Sequence, residues 1–428
     1  MGWFDESNIP TEEIKETQRL KEVDVDFHHK GISATKPLAR PVGKSSVSYG
    51  GEGSLASRWA LELDYAIPVH EVIQSYFILS SSTRKEDKQL TKKQEVLLEV
   101  FNLKTYFPVK ANKIGKKPVL KAVDDISLTV YKGETLGIVG ESGSGKSTFG
   151  RTILRLVEPT EGEIIFEGQH IENLKPKELQ VIRNQMQVIF QDPFGSLNPR
   201  MRIEEIIEEP IKMHTRLSKS ERKSRIKELI EKVGLSEEAL KKFPHEFSGG
   251  QRQRIGIARA LAINPKFIIA DEPVSALDVS IQSQVLNLMM DLQDEFHLTY
   301  LFISHDLSVI KHISDRVAVM YLGRIVEIGT KESIYKNPLH PYTKALLSSI
   351  PVVDFENKRE EIMISGELPS PVDPPVGCAF HTRCPFAMDI CREKRPQLQD
   401  INAEQQVACF LYKKEETKEN DPYHTIEV

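Results

Sequence analysis

Thr135-Leu136-Gly137-Ile138-Val139-Gly140-Glu141-Ser142-Gly143-Ser144-Gly145-Lys146-Ser147 is the stretch whose reading decides the fold. Residues 135–139 are an apolar run of the length of a buried strand. Residues 140–147 fit the spacing of a glycine, four residues, then Gly-Lys-Ser, which cradles phosphate. From Thr148 through Leu156 the pattern reads as a helix. Glycines let the backbone curl so that its N–H groups point inward at phosphate oxygens, and the helix N-terminus adds a partial positive charge. Gly140, Glu141, Ser142, Gly143, Ser144, Gly145, Lys146, Ser147 and Thr148 are therefore the candidate nucleotide-binding residues. Lys146 is placed to reach the β- and γ-phosphates, and the Ser147 hydroxyl to ligate Mg²⁺. A flexible Gly/Ser turn would need neither the strand before it nor the helix after it.

Downstream, polar residues sit at the ends of apolar strands. Phe267-Ile268-Ile269-Ala270 ends at Asp271-Glu272. In a phosphate-loop protein this pair reads as an Mg²⁺-holding carboxylate, Asp271, acting through a water, and a residue that orients or deprotonates the attacking water, Glu272. Met186 to Phe190 ends at Gln191, a second group facing water or Mg²⁺. Tyr300 to Ile303 ends at Ser304-His305, where His305 is placed for the γ-phosphate. Ser275-Ala276-Leu277-Asp278 turns into a helix with Ile281, Val285, Leu288 and Leu292 on one face.

Between these strands, residues 200–245 change to helical spacing at Ile226, Leu229, Ile230 and Val233. Ser218 with Glu221 suits a capping box. Phe247-Ser248-Gly249-Gly250-Gln251 follows, then a predicted helix from Arg252 to Ala262. Upstream, Val96 to Leu103, Ile126 to Val130 and Glu163 to Phe166 read as strands. Alternating strands and helices predict a mainly parallel sheet flanked by helices, with ligands at the strand ends.

Composition narrows the class. The chain has 428 residues, a net charge of −5 and 39% hydrophobic residues. The acidic balance gives no reason to expect nucleic-acid binding. No apolar run is long enough to span a membrane, and the N-terminus lacks the basic and apolar regions of a signal peptide, so a cytoplasmic location is expected. Residues 1–94 carry no motif and read as a poorly ordered extension holding both tryptophans, Trp3 and Trp59. Four cysteines, Cys378, Cys384, Cys391 and Cys409, cluster near the C-terminus. In a cytosolic chain such clustering favours metal over disulfides. The first gap is wider than that of structural zinc sites, and four thiolates suit a [4Fe–4S] cluster; zinc, free thiols and disulfides are the alternatives.

Taken in order, residues 140–147, Gln191, Phe247 to Gln251, Asp271-Glu272, Ser275 to Asp278 and His305 resemble the ATP-binding cassette of ABC transporters. Only Phe247 departs from the signature, where the family has Leu. Pro244 to Gln251, Asp271 to Gln282, Asn337 to Thr343, and Gly366 to Pro371 with Gly377-Cys378 narrow the resemblance to the oligopeptide/dipeptide importer ATPases, and Val274 to Ser280 to their "F"-type subunit.

The resemblance implies a P-loop α/β fold: a RecA-like, mainly parallel sheet with a helical subdomain and an antiparallel β subdomain, plus a cysteine-containing C-terminal extension. The implied division is an extension over 1–94, a cassette over 95–335 with its helical subdomain about 195–265, the C-terminal extension over 336–412, and a charged tail over 413–428. It also implies ATP and Mg²⁺ as ligands, adenine stacked on Phe107 (with Tyr106 the competitor), and Glu272, His305 and Gln191 at the reacting phosphate. Ser147, Gln191 and Asp271 would serve the Mg²⁺. Ser248, Gly249, Gly250, Gln251 and Asp278 would meet the ATP of a second cassette. Members of the family hold an iron–sulfur cluster in the cysteine-rich segment. Implied partners are a second, related ATPase in a heterodimer, two membrane permeases and an extracytoplasmic peptide-binding protein, with the chain peripheral on the cytoplasmic face of the membrane. The competing readings are a soluble ABC ATPase uncoupled from transport, a nucleotide-binding regulator without turnover, and an importer of nickel, glutathione or sugar oligomers.

Overall fold

A computed structural model describes residues 95–109, 118–349, 364 and 366–412. The extension expected over 1–94, with Trp3 and Trp59, and the tail expected over 413–428 lie outside the described residues.

The chain opens with two long strands, β1 (Val96–Pro108) and β2 (Val119–Tyr131), paired antiparallel. Both are longer than the apolar pattern predicts, because register shifts along the pair break the alternation that would reveal them. β3 (Thr135–Val139) is buried at every position, as a strand covered on both faces must be. It feeds the phosphate loop and α1 (Lys146–Ile153). Next come β4 (Glu161–Phe166), the two-residue β5 (Gln169–His170), α2 (Pro176–Arg183) and β6 (Met186–Ile189).

A helical stretch follows: α3 (Ile203–His214), α4 (Lys219–Lys232) and α5 (Gly249–Leu261). The Ser218–Glu221 capping box is present at the start of α4. The chain continues through β7 (Phe267–Asp271), α6 (Val279–Phe296), β8 (Thr299–Ser304), α7 (Leu307–Ile313), β9 (Arg316–Tyr321) and β10 (Arg324–Thr330). It ends, among the described residues, with α8 (Lys331–Lys336), α9 (Pro341–Ser348), α10 (Asp389–Glu393), β11 (Gln399–Asn402) and β12 (Gln405–Val407).

Two sheets result. The smaller runs β2-β1-β4-β5 and is antiparallel. The larger runs β11-β12-β10-β9-β3-β8-β7-β6. In it β9, β3, β8, β7 and β6 are parallel, and β10, β12 and β11 extend it antiparallel. α1 lies between the sheets. Its Phe149 and Ile153 share one core with Leu98, Val100 and Ile164 of the small sheet and Ile269 and Ile303 of the large one. The opposite face of the large sheet packs on the helices, and that second core reaches Tyr342 and Phe380 in the C-terminal segment. The phosphate loop therefore hangs from a fully buried strand and leads into a helix clamped on two sides.

Candidate active site

The geometry of the loop is dictated by backbone crowding. A Cβ at Gly140 would lie 2.1 Å from the Met320 carbonyl oxygen. Gly145 has φ 102°, and a Cβ there would lie 2.0 Å from the Ala122 carbonyl oxygen, so no L side chain fits either position. The Ser144 N–H donates to the Glu141 carbonyl at 3.1 Å, and the Ser144 carbonyl accepts from the Gly323 N–H at 2.8 Å. Lys146 reaches back across the loop, donating from Nζ to the carbonyls of Gly140 at 2.7 Å and Glu141 at 3.0 Å. Burial lowers its pKa, against the pull of the Glu272, Asp271 and Glu141 carboxylates. Ser142 and Gly143 are exposed, and Ser147 and Thr148 are half-buried in the first turn of α1. No acidic residue or side-chain cap occupies that turn, so its N–H groups are left for an anion.

Strand register brings the distant residues to this loop. β3 pairs parallel with β8 through Val139↔Ser304, β7 with β8 through Asp271↔Ile303, and β6 with β7 through Ile189↔Ala270. The residues that follow the four strands, Gly140, His305, Glu272 and Gln191, are thus delivered to one edge of the sheet. The Ser147 hydroxyl donates to Asp271 Oδ1 at 2.7 Å. Gln191 Nε2 donates to Glu272 Oε2 at 2.9 Å, and His305 Nδ1 lies 3.2 Å from the same oxygen. Glu272 has φ 48°, a left-handed backbone that side-chain-bearing residues rarely adopt, while its N–H is held by the Ile303 carbonyl at 2.9 Å. Ser147, Asp271 and Gln191 present hard oxygen donors of the kind Mg²⁺ prefers, and buried Asp271 supplies charge beside the hydroxyl.

On β1, Tyr106 and Phe107 part company. The Tyr106 hydroxyl donates to Asp124 at 2.5 Å. Thr105 faces α1, its hydroxyl 3.0 Å from that of Thr152. Phe107, the residue after Tyr106, is half-buried, and a register shift between Thr105 and Tyr106 interrupts the regular pairing just before it.

Ser248 to Gln251 form a separate unit. The Ser248 side chain accepts from the Gln251 N–H, and the Gln251 side chain accepts from the Ser248 N–H at 3.0 Å. This capping box starts α5 at Gly249, three residues before the predicted Arg252, because a satisfied first turn outweighs the poor helix propensity of two glycines. A Cβ on Gly250 would lie 2.4 Å from Ile281, and one on Gly249 3.3 Å from Leu277. The motif therefore packs beside Asp278, the exposed residue at the start of α6, and its side-chain hydrogen bonds close on α5 itself.

Three further residues stand at the loop, of which the sequence pattern marks Tyr342 alone, and that only as part of Asn337 to Thr343. Arg151 Nη2 lies 3.5 Å from Asp271 Oδ2; it stands four residues after Ser147 on α1, a spacing that shares a helix face. Tyr342 and Arg383 reach Glu141 from the C-terminal segment, and no local pattern links either residue to the phosphate loop.

The cysteines require a correction. Cys378, Cys384, Cys391 and Cys409 do converge on one small cavity, but its volume is about 10 Å³, room for about one water and not for a cluster of iron and sulfide. Among the described residues no three His, Cys, Asp or Glu side chains are grouped to hold a metal ion. Burial pushes the thiols of Cys378 and Cys409 up to about 11 and raises that of Cys384. The expected [4Fe–4S] cluster is withdrawn; the four cysteines are free thiols.

Comparison with known proteins agrees with the cassette geometry. The family model "ABC transporter" matches residues 123–275, and "Oligopeptide/dipeptide transporter, C-terminal region" matches residues 326–391. The oligopeptide transport ATP-binding protein AppF of Bacillus subtilis is 57% identical over 74% of this chain and 98% of its own length. The dipeptide transport ATP-binding protein DppF of Escherichia coli is 50% identical over 76% of this chain and 96% of its own. Among solved structures, a dimeric bacterial ABC transporter cassette superposes with a TM-score of 0.50 at 31% identity, covering 55% of this chain and 99% of that one. With a phosphate loop, a strand-end acidic pair and a capped signature helix in one fold, and relatives matched over nearly their whole length, the chain belongs to the ATP-binding proteins of the oligopeptide/dipeptide ABC transporters.

Proposed function

We propose that the chain energises import of peptides by binding and hydrolysing ATP beneath separate membrane permeases. The observation that carries this reading is the convergence of Ser147, Asp271, Glu272, Gln191 and His305 at the phosphate loop. Residues 140–148 hold the phosphates, Lys146 with its charge and the loop with its N–H groups. Phe107, half-buried near the end of β1, stacks on adenine. Ser147, Asp271 and Gln191 hold Mg²⁺, which when bound with ATP neutralises charge on the phosphate oxygens.

Glu272 orients a water and takes its proton as the water oxygen bonds to the γ-phosphorus and the bridging bond to ADP breaks. Gln191 and His305 fix the Glu272 carboxylate, and His305 reaches the departing phosphate. Ser248 to Gln251 and Asp278, turned to their own surface, contact the ATP held by a second cassette. That cassette is a related chain, so the dimer is a heterodimer. We read residues 95–335 as the cassette and 336–412 as the appended segment. The chain is peripheral to the cytoplasmic face of the membrane, in keeping with the absence, among the described residues, of any helix long and apolar enough to cross it. An extracytoplasmic binding protein delivers the peptide.

The test is co-expression with permeases and a second ATPase subunit, followed by purification and uptake of labelled di- and oligopeptides into vesicles. ATP-dependent peptide uptake that vanishes without this chain is expected. An ATPase that purifies without membrane subunits, or a complex that accepts only nickel, glutathione or sugar oligomers, would sink the proposal.

A further inference from the structure

Glu141 is the single acidic residue between Gly140 and Thr148, and a carboxylate in a phosphate loop opposes the loop's purpose. Like charges brought together raise the free energy of the bound state. The structure gives this carboxylate a dedicated partner. Arg383 Nη1 lies 3.1 and 3.0 Å from its two oxygens, and the Arg383 side chain is only 9% exposed. The same nitrogen lies 3.5 Å from the Tyr321 hydroxyl.

A second contact fixes the backbone at the same residue, where the Glu141 N–H donates to the Tyr342 hydroxyl at 2.9 Å. Tyr342 is itself buried, packed edge-on against Tyr321 with ring centres 4.7 Å apart and against Phe380 at 5.4 Å. Leu368 and Pro371 lie nearby as well. A Cβ on Gly143 would lie 3.8 Å from the Leu368 side chain, and the Pro371 carbonyl accepts from the Lys121 N–H at 3.1 Å. Arg383, Tyr342 and Leu368 thus touch the loop at charge, backbone and rim.

We propose that Arg383 and Tyr342 are positioning residues for ATP: Arg383 cancels the Glu141 charge, Tyr342 pins the Glu141 backbone, and the C-terminal segment thereby sets how tightly the phosphate loop holds nucleotide. The proposal rests on reading residues 140–148 as the phosphate site. Without Arg383, Glu141 stands unpaired where the triphosphate must bind, and affinity falls. Chemistry at the γ-phosphate does not involve either residue, so turnover at saturating ATP is spared.

The experiment is calorimetric titration of the full chain with Mg-ATP. Arg383→Gln is expected to raise Kd about tenfold, the scale of one charge-assisted hydrogen bond. Adding Glu141→Gln to Arg383→Gln restores most of the lost affinity, because the unpaired charge is gone. Tyr342→Phe, which keeps the ring packing, raises Kd about threefold, the scale of one neutral hydrogen bond. In the assembled transporter Arg383→Gln raises KM for ATP and leaves kcat near its original value. Lys146→Ala run in parallel tests the underlying site: unchanged ATP binding there would show that the loop reading itself is wrong. If Lys146→Ala abolishes binding while Arg383→Gln and Tyr342→Phe leave Kd unchanged, the positioning role is overturned. It is equally overturned if the Arg383→Gln defect persists after Glu141→Gln, since a purely structural arginine would behave that way. Should Arg383→Gln not fold, the Tyr342→Phe titration decides alone, a Kd within error of the original counting against the proposal.

Discussion

Glu272 and Glu327 belong to the same sheet and are held in opposite ways. Glu327, on β10, is fully buried, and its carboxylate accepts from the N–H groups of Leu339 at 2.7 Å and His340 at 3.0 Å and from Gln405 Nε2 at 2.7 Å. Burial raises its pKa, and these hydrogen bonds oppose the rise. Glu272, one residue past β7, meets the side chains of Gln191 and His305, the latter 55% exposed. A carboxylate ringed by backbone N–H groups is locked into one geometry. One held by movable side chains can exchange them for water or phosphate. What separates the two is the kind of donor, main-chain N–H groups with one amide on Glu327 and side chains alone on Glu272.

The sharpest way to break this comparison is Glu272→Gln. In a complex whose partner ATPase has been silenced, steady-state hydrolysis should fall by about 10²–10⁴-fold, the usual loss on removing a general base, while calorimetry still shows ATP binding. Near-normal multiple turnover would move the reaction away from the movable carboxylate.

The counterpart is Glu327→Gln. It turns an amide N–H₂ toward N–H donors, and a buried group left unsatisfied costs about 1–3 kcal/mol. Denaturant melts should show that loss. A melt indistinguishable from that of the original chain would mean the Glu327 network carries no stability.

A smaller effect sharpens the locked side. His340 is buried, burial holds its pKa at about 3 against an ordinary 6.5, and its Nδ1 accepts from the Tyr342 N–H at 3.0 Å. Because the folded-state value is depressed, the unfolded chain binds the extra proton between pH 6.5 and 3. Stability from this group is complete above about pH 6.5 and declines as pH falls, by up to about 1.4 kcal/mol per unit. Glu327, raised by burial, works in the opposite direction. His340→Asn keeps a capping acceptor and removes the titration, so it isolates the histidine. Stability of the original chain should drop relative to His340→Asn between pH 6.5 and 5.5; parallel profiles would show that His340 takes up its proton without cost.

How much of this was legible depends on what constrained each residue. Phosphate chemistry demands glycines that no Cβ can replace, as at Gly140 and Gly145, and carboxylates at strand ends, so the loop and Asp271-Glu272 stand out in the sequence. Parallel register then assembles them without further information. The helix after Ser248 begins earlier than its apolar pattern, because capping is local hydrogen bonding that hydrophobic periodicity does not report. Arg383 lies 242 residues from its partner Glu141, and only the fold brings them together. The cysteines mislead for a related reason: closeness in sequence and even around one cavity does not supply the volume that a cluster of iron and sulfide needs.

The pairing of β10 with β12, through Glu327↔Val407 and Gly329↔Gln405, has a consequence for handling the molecule. β12 and the short, polar β11 lie outside β10 and finish the large sheet. Without them β10 would offer a free row of N–H and C=O groups over a strand rich in Ile and Val, a template on which a second chain can add itself. A fragment that stops after α9 would therefore expose an adhesive border, and its tendency would be to aggregate. The polar hairpin at residues 399–407 acts as a guard for solubility, and any shortened form meant to stay dispersed should retain it.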